Sequence, residues 1–157
     1  MAKPIILDEQ LCFSIYQAHK VYNRFYAKAL APFKLTYSQY IVLLALWQYG
    51  TLSVKALGER VGLDSGTLTP LLKRLEKDGW VLRQRSKQDE RKLDVQLTAH
   101  GKKMQDTIDE RVGTCMQWIG MSQDQYNSIR DAVSEVKDHL AEIPDGKFDK
   151  LPTPAEQ

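Results

Sequence analysis

The 157 residues carry 43% apolar and 27% charged side chains and a formal net charge of +2. That balance excludes a disordered polyelectrolyte and leaves enough apolar material for one domain with a core. No run reaches the ~18 apolar residues of a membrane span, and MAKPIILDEQ lacks the apolar segment of a signal peptide, so a cytoplasmic location without membrane contact is expected. There Cys12 and Cys115 are expected to be reduced rather than a structural bridge. With no CxxC or HExxH pattern, neither a metal nor a cofactor is expected.

Residues 8 to 30 read as a helix, with Leu11, Ile15, Ala18, Tyr22 and Tyr26 at three- and four-residue spacing and Pro32 beyond its end. Thr36-Tyr37-Ser38-Gln39 is a capping box, and the apolar run YIVLLALW reads as a buried helix ending at Gly50. Ser53 caps a short helix, VKALGERV, that Gly62 closes. In LDSGTLTPLLKRLEKDG, Leu68, Leu71, Leu72 and Leu75 share a face. Pro70 lacks an amide proton and is cheapest in a first turn, so this helix is expected to start near Gly66 or Thr67, with Asp64 or Ser65 as cap and Gly79 as stop.

The rhythm then changes to period two over 80–85 and 92–97, around the polar loop SKQDER, and predicts a β-hairpin. Thr98 caps a long helix with Met104, Ile108, Val112, Cys115 or Met116, and Ile119 on its apolar side. Ser122-Gln123-Asp124-Gln125 is a second capping box. It opens a helix bearing Tyr126, Ile129, Val133, Val136, Leu140 and Ile143. Two prolines mark residues 145–157 as a flexible tail.

The order predicts a mainly α fold with a small β-hairpin wing: a winged helix-turn-helix over residues 36–98. The helices of 1–35 and 99–144 form a dimerisation domain, or else close a monomeric core. In such a fold the second helix of the pair enters the major groove of double-stranded DNA. Ser65, Gly66, Thr67, Thr69 and Pro70 then face base edges or backbone, the helix start offers amides to phosphate, and Lys73 and Arg74 reach phosphate. On the wing, Arg83, Arg85, Lys87 and Arg91 are candidate DNA contacts. Asp89 repels phosphate, so it is expected to orient Arg91 or another wing arginine through a charge-assisted pair.

LDSGTLTPLLKRLE and RSKQDERKLDVQLTAHG resemble the recognition helix and wing of the MarR family. LCFSIY, the tyrosines Tyr16, Tyr26 and Tyr37, and LTYSQYIVLLALW are similar to a narrower branch, the OhrR-type (MgrA/SarZ-like) organic hydroperoxide sensors. The resemblance runs from about Leu11 to Gly101 and more loosely to residue 143. It implies a homodimeric repressor on a palindromic operator, with organic hydroperoxide as signal. Cys12 matches the reactive cysteine whose oxidation releases DNA; Tyr26 and Tyr37 match tyrosines that bond it from the other subunit, and Tyr16 a third in that pocket.

The chemistry has its own logic. Only a thiolate attacks peroxide, and a helix N-terminus stabilises one. Phenol donors stabilise thiolate and sulfenate, apolar Leu11, Phe13 and Ile15 favour alkyl hydroperoxides, and Asp8 and Glu9 act against the thiolate. Cys12 read alone, without the resemblance, is better explained as a small core side chain. The resemblance leaves Cys115 either as a resolving partner in an intersubunit disulfide or as a buried spectator. A MarR-type regulator answering to a small aromatic ligand is the alternative reading. A thiol peroxidase is disfavoured because no Arg or Thr stands beside Cys12 in the arrangement such enzymes use.

Overall fold

The computed structural model describes residues 5–151. After a short 3-10 turn at Leu7–Glu9, helix α1 runs Leu11–Leu30, and a second 3-10 turn, Ala31–Phe33, leads to α2, Tyr37–Tyr49. Then follow β1 (Leu52–Ser53), α3 (Val54–Val61), α4 (Ser65–Lys77), β2 (Val81–Arg85), β3 (Leu93–Leu97), α5 (Ala99–Lys103), α6 (Gln105–Gln117) and α7 (Gln123–Ala141). A 3-10 helix occupies Asp145–Lys150, so the segment expected to be loose begins with regular structure, and its last residues lie outside the described range. No single helix among the described residues is long and apolar enough to cross a membrane.

Local chemistry accounts for the element boundaries. Thr36 accepts from the Gln39 amide while the Gln39 side chain accepts from the Thr36 amide, the reciprocal box that starts α2. Ser53 caps α3 through the Ala56 amide, and Gly62 ends it in the left-handed region at φ 67°. Ser122 and Gln125 repeat the box at α7. Thr98 caps α5 through the Gly101 amide, and its hydroxyl donates to the Gly79 carbonyl at 2.6 Å.

Several elements depart from the sequence expectation: the first helix starts at Leu11 rather than residue 8, and α7 ends at Ala141, short of Ile143. The helix foreseen after Thr98 is divided at Met104 and ends at Gln117, so Ile119 lies outside it. The hairpin is also one strand short of the sheet, whose order is β1-β3-β2, with Leu52 opposite Val95 and Arg83 opposite Val95 on the other side.

By its contacts the chain forms two units, one through Met116 and one from Gln117 onward. The first holds the core: Leu30, Leu43, Leu46, Leu57, Leu68, Leu72, Leu75, Val81, Val95 and Ile108 are fully buried. These side chains come from α1, α2, α3, α4, the sheet and α6, so one core fixes the helix-turn-helix against the wing. Gly101 is required there, because a Cβ would collide with the Trp80 carbonyl, and the Trp47 indole donates to the Gly101 carbonyl at 2.9 Å. In the second unit, α7 exposes Tyr126, Ile129, Val133 and Leu140. That spacing is an apolar stripe, exposed among the described residues.

Candidate DNA-reading face and redox site

The start of α4 is built by Asp64. Its carboxylate accepts the Thr67 amide at 2.8 Å and the Thr67 hydroxyl at 3.2 Å. The Thr67 amide, aided by its hydroxyl, holds the Asp64 carboxyl below the ordinary carboxylate range. This corrects part of the expectation for the helix start: the Thr67 amide is taken by a carboxylate rather than open to phosphate. Ser65, Gly66, Thr67 and Pro70 are exposed and Thr69 is half-buried. The helix begins at Ser65, earlier than expected, so Pro70 is its sixth residue rather than part of its first turn. A proline there leaves the Gly66 carbonyl without its intrahelical donor. Lys73 and Arg74 lie further along and are exposed.

The wing arginines divide. Arg85 donates from Nη1 to the Glu90 carbonyl at 3.1 Å, bracing one strand against the tip. Arg91 is exposed, and its guanidinium has no hydrogen bond or ion pair among the described residues; Lys87 is likewise exposed. Arg83 behaves otherwise: Nε and Nη2 both donate to Glu76 of α4, at 3.0 and 2.7 Å. The expected guanidinium pair of Asp89 is replaced by a backbone one. Asp89 accepts the Arg91 amide at 3.0 Å, and its other oxygen stands 4.0 Å from the Lys92 amine. It shapes the loop that carries Arg91 without neutralising it. Ser65 and Arg91 line one cleft of about 860 Å3 together with Lys55 and Lys92, so the start of α4 and the wing are neighbours. Lys55, in the first helix of the pair, was missed, because a lone lysine in VKALGERV carries no signal before the sheet closes beside it.

A second grouping lies between α1, α2 and α6. The Tyr26 and Tyr37 rings stack at 4.2 Å, Tyr40 stands 5.8 Å from Tyr26, and the Tyr26 hydroxyl donates to the Met116 sulfur at 3.6 Å. The Arg111 guanidinium donates to the Ala29 carbonyl at 2.6 Å, fixing α6 against the end of α1. Cys115, the residue before Met116, is only 6% exposed. Tyr40 was not among the expected tyrosines, although its three-residue spacing from Tyr37 could have marked it. Burial pushes its phenol up to about 12, helped by the charge of Asp109 and by Tyr37. Its neutral form is favoured by folding, so that stability is complete below the ordinary phenol value near 10 and is lost as pH rises through 12. In an alkaline titration followed at 295 nm, the wild-type protein should show a tyrosine step near pH 12 that is missing from Tyr40→Phe; identical curves from the two proteins would contradict this.

Cys12 is the second residue of α1 and is exposed, with Asp8 and Glu9 in the turn before it. Tyr16 lies one turn away, stacked on Phe13 at 6.5 Å with the Lys20 amine 5.3 Å over its ring. Cys12 and Tyr26 stand fourteen residues apart on the same helix, which at about 1.5 Å per residue is about 21 Å. Within one chain the thiol therefore cannot meet the Tyr26–Tyr37 pair. The structure brings Tyr26, Tyr37 and Met116 to one end of α1 and leaves Cys12 and Tyr16 at the other. Among the described residues no cluster of His, Cys, Asp and Glu has a metal-binding arrangement.

A capped second helix beside a cationic three-stranded wing defines a MarR-like winged-helix regulator of the DNA-binding kind. The model of the SarA/Rot transcriptional regulators matches residues 24–111, and the chain belongs to that family. It is 42% identical over 123 residues to the regulator SarZ of Staphylococcus epidermidis, covering 78% of this chain and 83% of the relative. To the organic hydroperoxide resistance transcriptional regulator of Bacillus subtilis it is 38% identical, with 81% and 86% covered. Reduced AbfR bound to DNA, from a protein of S. epidermidis, superposes with a TM-score of 0.75 at 38% identity over 87% of this chain and 95% of that one. AbfR is also solved on DNA in an overoxidised form, and in a disulfide form whose TM-score to this chain is 0.67. The resemblance drawn from DSGTLTP and LCF thus holds.

Proposed function

We propose that the protein is a cytoplasmic, homodimeric, redox-sensing repressor that grips a palindromic operator while Cys12 is reduced and releases it when organic hydroperoxide oxidises Cys12 and the intersubunit disulfide with Cys115 forms. The observation that carries this is the separation along α1. A thiol about 21 Å from the Tyr26–Tyr37 pair reaches such a pair only in a second copy. A two-fold pairing through the helices of 1–35 and 99–144 brings the Cys12 end of one chain to the tyrosine end of its partner and covers the apolar stripe of α7.

The chemistry closes without a cofactor. The Cys12 thiolate attacks the distal peroxide oxygen, the O–O bond breaks, and the alkoxide leaves and takes a proton to become an alcohol. Phenol hydroxyls of Tyr26 and Tyr37, with Tyr16 beside the thiol, stabilise the anion and the sulfenic acid that follows. The partner's Cys115 then attacks the Cys12 sulfur, expelling water and forming an intersubunit disulfide. AbfR, solved in reduced, overoxidised and disulfide forms, supports a redox-operated pair.

DNA engagement is assigned to Ser65, Gly66, Thr67, Thr69 and Pro70 at the start of α4, to Lys73 and Arg74 beyond it, and to Arg85, Lys87 and Arg91 of the wing. Arg91→Ala should weaken binding about tenfold and lower the salt dependence by about one released ion; fluorescence anisotropy across a KCl series, with an unchanged slope, would count against its phosphate contact. The proposal as a whole is tested with a duplex selected from random sequence. Binding should fall on adding cumene hydroperoxide and return with dithiothreitol, and binding indifferent to both refutes it.

A further inference from the structure

Arg83 is the wing arginine that does not face outward. One Glu76 carboxylate takes three of its N–H groups: the backbone amide at 3.0 Å, Nε at 3.0 Å and Nη2 at 2.7 Å. Glu76 stands in the last turn of α4, where the helix dipole disfavours a carboxylate. Its partner supplies the reason for it to be there, and Arg83 holds the Glu76 carboxyl below its ordinary range. β2 is an outer strand of the sheet, so the Arg83 amide has no strand to pair with, and Glu76 closes that position instead. Between α4 and β2 lies only the turn Asp78–Trp80, with Gly79 at φ 80°. The turn and Thr98 fix the base of the hairpin; Glu76 is the tie placed further out along β2.

We propose that Glu76 and Arg83 form a clamp that sets the angle between the recognition helix and the wing, and that both are positioning residues for operator binding rather than contacts to DNA. This rests on the reading of α4 and the wing as the two DNA-engaging elements. The Arg83 and Glu76 side chains keep 20% and 32% of their surface exposed, and an ion pair that solvent still reaches contributes modestly to folding stability. Its effect lies in preorganisation: with the tie broken, the hairpin must be ordered at the moment of binding, and affinity falls.

The prediction has a sign that bare electrostatics reverses. Removing the Glu76 charge next to a DNA-binding face should tighten binding if the residue only repels phosphate; the clamp predicts the opposite. In the full-length protein, with the selected duplex, Glu76→Gln and Arg83→Lys should each weaken binding about tenfold with the salt slope unchanged. The double variant should be no weaker than either single one, and thermal midpoints should stay within a few degrees of wild type. Tighter or unchanged binding by Glu76→Gln overturns the clamp, as does wild-type affinity in Arg83→Lys, since a lysine replaces an arginine at phosphate but not in a fork. If Arg91→Ala is also without effect, the assignment of the wing to DNA is what fails; if Arg91→Ala weakens binding as expected, the clamp alone is wrong.

Discussion

Cys12→Ser should hold its operator in cumene hydroperoxide at concentrations that cost the wild-type protein at least about a hundredfold in affinity, about 2.7 kcal/mol. A serine hydroxyl at the start of α1 keeps the local shape and the helix end but offers no thiolate to the peroxide oxygen. The size of the wild-type loss follows from geometry. A palindromic site requires the two recognition helices to stand about 34 Å apart, one helical turn of DNA. A rearrangement that moves one half out of register forfeits most of the contacts of that half. The measurement is anisotropy on the selected duplex, with oxidation followed in parallel by mass spectrometry. A Cys12→Ser protein that leaves DNA as readily as wild type removes the thiol from the mechanism, and leaves a winged regulator answering to another signal, such as a small aromatic ligand.

The second large effect concerns Cys115. After peroxide, Cys115→Ser should show no covalent dimer on a non-reducing gel and should carry added oxygen on Cys12, yet remain bound to DNA. A sulfenic acid adds a single atom at an exposed helix end, whereas a disulfide requires the two Cα atoms to come within about 7 Å, and Cys115 is buried. Bringing it to Cys12 therefore obliges the end of α6 to move. Oxidation without capture leaves that end in place, in keeping with an overoxidised AbfR on DNA. Release of DNA by Cys115→Ser to the wild-type extent would show that the first oxidation step, or a small free thiol, is sufficient.

Much of the architecture was legible because it is written locally. The boxes at Thr36 and Ser122 and the caps at Ser53 and Thr98 are fixed by side chains within three residues, and a sequence shows such spacings directly. The period-two rhythm of Leu93, Val95 and Leu97 gave the hairpin for the same reason. What the chain does not show is decided by partners distant along it. β1 is two residues long and exists through Leu52 and Ser53 pairing with Val95 and Asp94. Arg83 reads as one more wing cation until Glu76, seven positions earlier on another element, is seen to hold it. Tyr40 lay hidden in an apolar run, and only the packing of α1 on α2 makes it the neighbour of Tyr26. The division at Met104 follows no glycine or proline at that point. The separation of Cys12 from Tyr26 was present in the numbering from the start, but its meaning depends on α1 being one unbroken helix.

The small sheet has a further consequence. One of its margins is a strand of two residues, and the other has the outward amide of Arg83 covered by a carboxylate. Neither margin presents a row of open backbone groups long enough to template an extra strand, the usual route to fibrils and to swapped hairpins. The wing is thus guarded against aggregation, and Glu76→Gln should lengthen the list of its misassembly products before it lowers its melting point.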